Sequence, residues 1–198
     1  LAVLTLVAAL LAFILALQYE IGAGGVLSML APLVRLLLAL RYKIRVIGLD
    51  HAHGLRGALI LPNHPAEIDP VILEVILWQA LQPRPVVTED FFDVPVLRKL
   101  FLALRALPVP NLEIGRSTFK MRRLDATMRA ISDGIQRGDN ILLYPSGGLM
   151  RQPRTRIGGA SRTHALLQEM PDVPILLVRT RGLWGSSFSC WAKAQRPE

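Results

Sequence analysis

The stretch ALILPNHPAEIDPVILEVILWQAL, residues 58–81, contains the patterns of a strand, a loop and a helix in that order. Residues 58–61 form a short apolar run that ends at Pro62, which is typical of a buried strand. Residues 71–81 are predicted to form a helix, because they are mostly apolar over a length that suits one and contain neither Pro nor Gly. A buried strand that leads into a helix is the basic unit of an α/β domain.

Short apolar runs and helical patterns alternate along the rest of the chain. The runs that predict further strands lie at residues 43–48, 83–90, 140–144 and 173–178. Further helices are predicted at residues 93–107, 117–138 and 165–169. Because this alternation is typical of parallel sheets, the sequence predicts an α/β domain with a mixed, largely parallel sheet flanked by helices.

The clearest helical pattern lies between Ser117 and Gly138. Its apolar residues recur at spacings of three and four, which places them on one face: Met121, Leu124, Met128, Ile131 and Ile135. Another helix is predicted to begin with Asp93 as its N-cap and Pro95 in its first turn. Both helices are therefore expected to pack one face against the sheet.

Two apolar runs precede this domain. Residues 1–17 contain no charged side chain, and as a helix they would be about 26 Å long, close to the thickness of a hydrocarbon core. Residues 21–40 form the second run, which is interrupted by Ser28, Pro32 and Arg35. We therefore predict a membrane-embedded helical hairpin over residues 1–41, followed by a separate domain over residues 42–198.

The charges that flank the second run predict its orientation. A basic cluster follows it directly: Arg41, Lys43 and Arg45. Such clusters usually lie on the cytoplasmic side, so the following domain is predicted at the cytoplasmic face of a membrane, the inner membrane in a bacterium. A cleaved signal peptide and a pair of buried core helices stay open as alternatives.

Composition restricts the partners. The chain has 23 Lys and Arg against 15 Asp and Glu, a net charge of +8, which favours anionic partners. It has no interleaved aromatic and basic residues of the kind that stack on bases, so nucleic acid is not expected. Anionic lipid headgroups, a phosphorylated co-substrate or an acidic carrier protein fit better. The single cysteine, Cys190, excludes an internal disulfide, and neither a metal nor a bound cofactor is expected.

The loop at residues 61–70, LPNHPAEIDP, holds the candidate catalytic pair. It follows a strand and opens a helix, a position where α/β proteins tend to place binding sites. Asp69 can hold the imidazole of His64 in one tautomer, which leaves the other ring nitrogen to take a proton from a substrate alcohol. Asp69 before Pro70 is an equally good helix N-cap, and that interpretation stays open.

Four blocks in order resemble the glycerolipid acyltransferase family, which includes the lysophosphatidic acid acyltransferases. NHPAEID matches the family's H-x-x-x-x-D signature, and LEIGR, residues 112–116, stands where the family has a short block ending in Arg. YPSGG, residues 144–148, stands for its F-P-E-G-[ST]-R block, and VPILLV, residues 173–178, stands for its V-P-I strand. The resemblance covers about residues 42–182.

The resemblance implies that residues 42–198 are an acyltransferase catalytic domain. His64 would be the general base, Asp69 its partner, and a fatty acyl group would pass from acyl-coenzyme A or acyl carrier protein to the hydroxyl of a lysophospholipid. Transfer would be direct, without an acyl-enzyme. The residues expected to bind substrate are Asn63, Gly115, Arg116, Ser146, Gly147, Gly148 and Arg151. Among them Arg116 is assigned to the acceptor's phosphate, which a forked guanidinium suits.

One departure leaves alternatives open. Ser146 stands where the family usually has Glu, and Arg151 is the nearest replacement for the missing Arg of that block. With a small, neutral Ser at this position, the resemblance does not identify lysophosphatidic acid as the acceptor, and the headgroup stays open. Two further interpretations stay open: a catalytically silent membrane or lipid-binding module of the same fold, and a serine esterase with Ser146 as nucleophile, although YPSGG lacks the first glycine of G-x-S-x-G.

Overall fold

The structure is a computed structural model that describes residues 23–112, 115, 117–152 and 162–190. The described strands are β1 (Leu59–Pro62), β2 (Arg84–Thr88), β3 (Leu107–Val109), β4 (Ile141–Leu142) and β5 (Ile175–Val178). The described α-helices are α1 (Ala23–Ala39), α2 (Asp69–Leu81), α3 (Pro95–Ala103), α4 (Thr118–Gln136) and α5 (Arg162–Glu169). Two 3-10 helices lie at Leu49–Ala52 and Glu89–Asp93. The predicted α/β class is confirmed.

The five strands form one sheet in the order β3-β2-β4-β1-β5. Every strand pair that the structure describes is parallel, so the prediction of a mixed sheet is corrected to a parallel one. In register, Leu59 of β1 lies opposite Ile141 of β4 and Ile175 of β5. Because all strands run the same way, the loops after β4, β1 and β5 meet at one edge of the sheet.

Strand β1 lies inside the sheet and is buried over its whole length. Leu59 and Leu61 pack on one face with Ile131 and Ile135 of α4. Ile60 packs on the other face in a cluster with side chains of α2, chiefly Leu73, Leu77 and Leu81. Burial on both faces explains why residues 58–61 read as a continuous apolar run without alternation.

The predicted helix over residues 117–138 is confirmed as α4. The Ser117 hydroxyl accepts a hydrogen bond from the backbone N–H of Lys120 at 3.2 Å, which caps the helix at its N-terminus. Leu124, Ile131 and Ile135 of the predicted apolar face are buried. The burial of these side chains contributes most of the stability of this otherwise polar helix.

Three local predictions are corrected. Residues 43–48 form no strand, since their alternating apolar side chains find no sheet to pair with and Ile47 is exposed. Asp93 belongs to the 3-10 helix, and Val94 is the N-cap of α3, because a residue before Pro95 favours an extended backbone. Helix α3 ends at Ala103, and the chain then forms the unpredicted strand β3 at the sheet edge.

Helix α1 lies against α2 and α3. Leu27 and Ala31 pack with Trp78, whose indole N–H donates a hydrogen bond to the Ser28 hydroxyl at 3.1 Å. Within the part of the chain that the structure describes, no helix has both the length and the apolar character needed to cross a membrane. The first helix of the predicted hairpin, residues 1–17, lies outside the described residues, so the hairpin and the division at residue 41 stay predictions.

The buried side chain of Asn140 joins the segments that enter and leave the sheet. Its Oδ1 accepts from the Ala58 N–H at 3.1 Å, while its Nδ2 donates to the carbonyls of Leu55 and Leu81 at 3.0 and 2.8 Å. All three partners are backbone groups. Loss of the amide would therefore leave three backbone groups unpaired, two in the segment before β1 and one at the end of α2.

We predict that Asn140→Ala lowers the free energy of unfolding by about 3 kcal/mol, because three backbone groups lose their partner. Urea denaturation measures this change. Gln79→Ala is the matched control, since it removes an amide from an exposed position of α2 and should change stability by less than about 0.5 kcal/mol. Equal effects of the two substitutions would show that the Asn140 contacts contribute little.

Candidate active site

The candidate site lies at the carboxyl edge of the sheet, where loops follow β1, β4 and β5. Asn63 joins two of these loops, because its Nδ2 donates to the Thr180 carbonyl at 2.9 Å and its Oδ1 accepts from the Thr180 N–H at 2.7 Å. The N–H of Met150, in the loop after β4, donates to the His64 carbonyl at 2.8 Å. The backbone on either side of the candidate base is therefore held from both neighbouring strands.

His64 and Asp69 are in direct contact, as their spacing predicts. The Nδ1 of His64 lies 3.0 Å from Oδ1 and 3.2 Å from Oδ2 of Asp69. The Asp69 side chain is fully buried, whereas 15% of the His64 side chain is exposed. Asp69 is the first residue of α2, and Ile68 is the N-cap with no side-chain cap bond. The interpretation of Asp69 as the N-cap is therefore corrected: its carboxylate faces His64.

The second imidazole nitrogen is available for chemistry. An ionised carboxylate only accepts hydrogen bonds, so the proton of a neutral imidazole is placed on Nδ1, facing Asp69. None of the described residues forms a hydrogen bond with Nε2. A neutral Nε2 with a free lone pair at a partly exposed position is the arrangement that a general base requires.

Tyr144 completes the group, although the sequence analysis assigned it no role. Its ring stacks on the imidazole of His64, with centroids 4.1 Å apart and planes at 25°. Its hydroxyl donates to Oδ1 of Asp69 at 2.8 Å. Burial raises the pKa of Tyr144 far above its ordinary value, and the charges of Asp69 and Glu74 raise it further. The phenol therefore stays protonated and always acts as a donor to Asp69.

The loop after Tyr144 turns back on itself. The Ser146 hydroxyl donates to the Gly148 carbonyl at 2.8 Å, and the Gly147 N–H donates to the Tyr144 carbonyl at 3.0 Å. Gly147 has a φ of +69°, which a side chain would disfavour, and the position where its Cβ would lie is open. The hydrogen bond of the Ser146 hydroxyl is thus within its own loop, and no hydrogen bond joins it to His64 among the described residues.

The structure describes only some of the remaining predicted binding residues. Arg151 is exposed and directly follows Met150, which contacts His64, so it lies beside the site. Gly115 is exposed with a φ of +97°. Arg116 lies outside the described residues, and its assignment to phosphate stays a prediction. The described residues include no group of three or more His, Cys, Asp or Glu side chains placed to hold a metal ion.

A second carboxyl group lies close enough to interact with Tyr144. Glu74 is half-buried on α2, and its Oε1 is closed off from solvent with no hydrogen-bond partner among the described residues. Burial raises the pKa of Glu74 from 4.5 to about 8. The carboxyl group is therefore neutral at neutral pH in the folded protein, and Asp69 does not face a second full negative charge there.

We predict that Glu74 makes the protein less stable as the pH rises. The pKa is higher in the folded state, so its contribution to stability is complete below about pH 4.5 and is lost as the pH rises towards about 8. Glu74→Gln should remove this loss. In urea unfolding, the free energy of unfolding of the variant should rise relative to that of the wild type between about pH 5 and about pH 8. Glu169→Gln, which removes an exposed carboxyl, is the control, and parallel pH curves for wild type and Glu74→Gln would contradict the assignment.

Comparison with known proteins shows the family of the chain. The acyltransferase family model matches residues 43–178, which is more than half of the chain and includes His64, Asp69 and Tyr144. No curated protein and no solved structure matched the chain. The family match covers the sheet from the segment before β1 to the end of β5. The chain therefore belongs to the acyltransferase family, the one that contains the glycerolipid and lysophospholipid acyltransferases.

Proposed function

We propose that the protein moves a fatty acyl group from an acyl thioester to the hydroxyl of a lysophospholipid-type acceptor. The observation that supports this most directly is the contact of His64 Nδ1 with the buried Asp69 carboxylate. Nε2 has no hydrogen bond to any of the described residues. Membership of the family supports acyl transfer as the reaction. Acyl-coenzyme A and acyl carrier protein are the two donors that fit a chain with a net charge of +8.

The proposed reaction has two proton transfers and one acyl transfer. Nε2 of His64 takes the proton of the acceptor hydroxyl as the oxygen attacks the thioester carbonyl. The Asp69 carboxylate stabilises the imidazolium that forms. The tetrahedral intermediate then collapses, the carbon–sulfur bond breaks, and the thiolate leaves with the proton that His64 returns. An ester and a free thiol result, and no acyl group is attached to the protein.

Acceptor binding is assigned to residues around the loops that border the site. Arg116 is proposed to hold the acceptor's phosphate, with Gly115 beside it in the binding region, and Gly147 and Gly148 to let the backbone approach the acceptor headgroup closely. Asn63, Ser146, Gly147, Gly148 and Arg151 are proposed to complete the binding region. The Ser146 hydroxyl contacts its own loop and adds no charge, which favours a headgroup that does not need a carboxylate at this position.

Membrane attachment is also proposed, at the cytoplasmic face. Leu36 and Leu37 near the end of helix α1 are exposed, and so is Leu40 directly after the helix. The exposed Arg41, Lys43 and Arg45 follow directly. Apolar side chains next to a basic cluster suit the boundary between acyl chains and anionic headgroups, which is also where a lysophospholipid resides.

We predict that His64→Ala lowers acyl transfer by at least about 10³-fold, because the general base is lost. Transfer of a radiolabelled acyl group in detergent measures the rate, and circular dichroism checks the fold. His53→Ala is the matched control, since His53 is exposed before β1, at the opposite end of that strand from His64. Full activity of folded His64→Ala would refute the assignment of the base.

We predict that Arg116→Ala raises the Michaelis constant for the acceptor by about tenfold or more, because a charged contact to phosphate is lost. The turnover number should change less. Initial rates at varied acceptor concentration separate the two constants. Arg56→Ala, an exposed arginine before β1, serves as the control. An unchanged acceptor dependence in Arg116→Ala would assign phosphate binding to another residue.

A further inference from the structure

Tyr144 contacts both members of the candidate pair through different parts of one side chain. Its hydroxyl is 2.8 Å from Asp69 Oδ1, and its ring face lies against the imidazole of His64. Tyr144 follows β4, whereas His64 and Asp69 follow β1, and these two strands are neighbours in the sheet. Tyr144, which follows β4, therefore contacts both His64 and Asp69, which follow the neighbouring strand β1.

The contact of His64 with Asp69 alone does not define one orientation. Nδ1 is at nearly equal distances from the two carboxylate oxygens, 3.0 and 3.2 Å, so the imidazole can pair with either. The Tyr144 hydroxyl occupies Oδ1 and restrains rotation of the carboxylate. The stacked ring restrains rotation of the imidazole plane. Together they fix the direction in which Nε2 points.

We propose that Tyr144 is a positioning residue for the His64–Asp69 pair, with its hydroxyl restraining the carboxylate and its ring the imidazole. The inference rests on the proposed function, in which His64 is the base. Tyr144 contacts Asp69 and His64 directly, so the role proposed for it is exerted through these two side chains. If the side chain at this position only filled space, an apolar ring would be enough. The hydroxyl directed at the Asp69 carboxylate would then have no role.

The hydroxyl also sets how strongly Asp69 attracts a proton to His64. A hydrogen bond donated to Oδ1 neutralises part of the carboxylate charge. Without it the full carboxylate charge would stabilise an imidazolium at His64 more strongly, so transfer would require a higher pH. The ionisable groups that interact with Tyr144 are Asp69, Glu74 and the stacked His64, and the hydroxyl hydrogen bond is made to Asp69.

The experiment compares Tyr144→Phe, which keeps the stacked ring, with Tyr144→Leu, which loses both contacts. Tyr144→Phe should lower the turnover number about tenfold with little change in the Michaelis constants, because one charge-assisted hydrogen bond is lost. The acidic side of its pH–rate profile should move to higher pH. Tyr144→Leu should be slower still. Tyr42→Phe, which removes a tyrosine hydroxyl that has no hydrogen bond to His64 or Asp69 among the described residues, should match the wild type.

A second measurement keeps the shape of the side chain constant. 3-Fluorotyrosine at position 144 is a more acidic phenol and a stronger donor, so the acidic side of the profile should move to lower pH, opposite to Tyr144→Phe. This variant applies also if Tyr144→Phe does not fold. A space-filling role predicts neither shift.

The outcomes separate this inference from the proposed function. Wild-type transfer that His64→Ala abolishes, with unchanged turnover and pH profiles in the folded Tyr144 variants, would overturn the positioning role alone. Absence of transfer by the wild type would overturn the proposed function first. Opposite shifts of the acidic side in Tyr144→Phe and the fluorotyrosine protein would support the positioning role.

Discussion

The fully buried carboxylate of Asp69 is the constraint on which the rest of the site depends. Removing a carboxylate from water is costly unless charged or polar groups replace the water. His64 and Tyr144 supply these partners from two different strand ends, at 3.0 and 2.8 Å. These two contacts offset the cost of burying the Asp69 carboxylate. They also orient the imidazole of His64 towards the open edge of the sheet.

Parallel strand order brings these groups together. Strands β4, β1 and β5 are neighbours, so the loops that carry Tyr144, His64 and Thr180 leave the sheet side by side. Asn63 bonds to Thr180, and the loop after β4 bonds to the His64 backbone. At the other end of the strands, Asn140 holds the entering segments. Both ends of β1 are therefore fixed, and the base stands on a rigid support.

The sequence predicted the parts of this arrangement that depend on local spacing. The pairing of His64 with Asp69 follows from their separation of five positions in a loop that contains two prolines, and the strand and helix on either side follow from their apolar patterns. Tyr144 lies 75 positions from Asp69, and no local pattern connects them. A polar tyrosine at the end of an otherwise apolar strand was the one available signal.

The local errors have a common physical origin. Residues 43–48 alternate like a strand, but alternation produces a strand only where a neighbouring strand offers hydrogen bonds. Strand β3 was missed because three residues that include Pro108 have little strand character of their own, and pairing with β2 decides their conformation. Asp69 lies in a sequence that is typical of an N-cap, yet its carboxylate binds the imidazole of His64 and the hydroxyl of Tyr144 instead of capping the helix.

The most direct test of the account is acyl transfer by the purified wild-type protein in detergent. Radiolabelled acyl-coenzyme A, and separately labelled acyl carrier protein, would be offered with a panel of lysophospholipids that differ in headgroup. The account predicts labelled diacyl product with at least one acceptor and no label on the protein when the acceptor is left out. Folded protein that transfers from neither donor to any acceptor, or that becomes labelled itself, would contradict it.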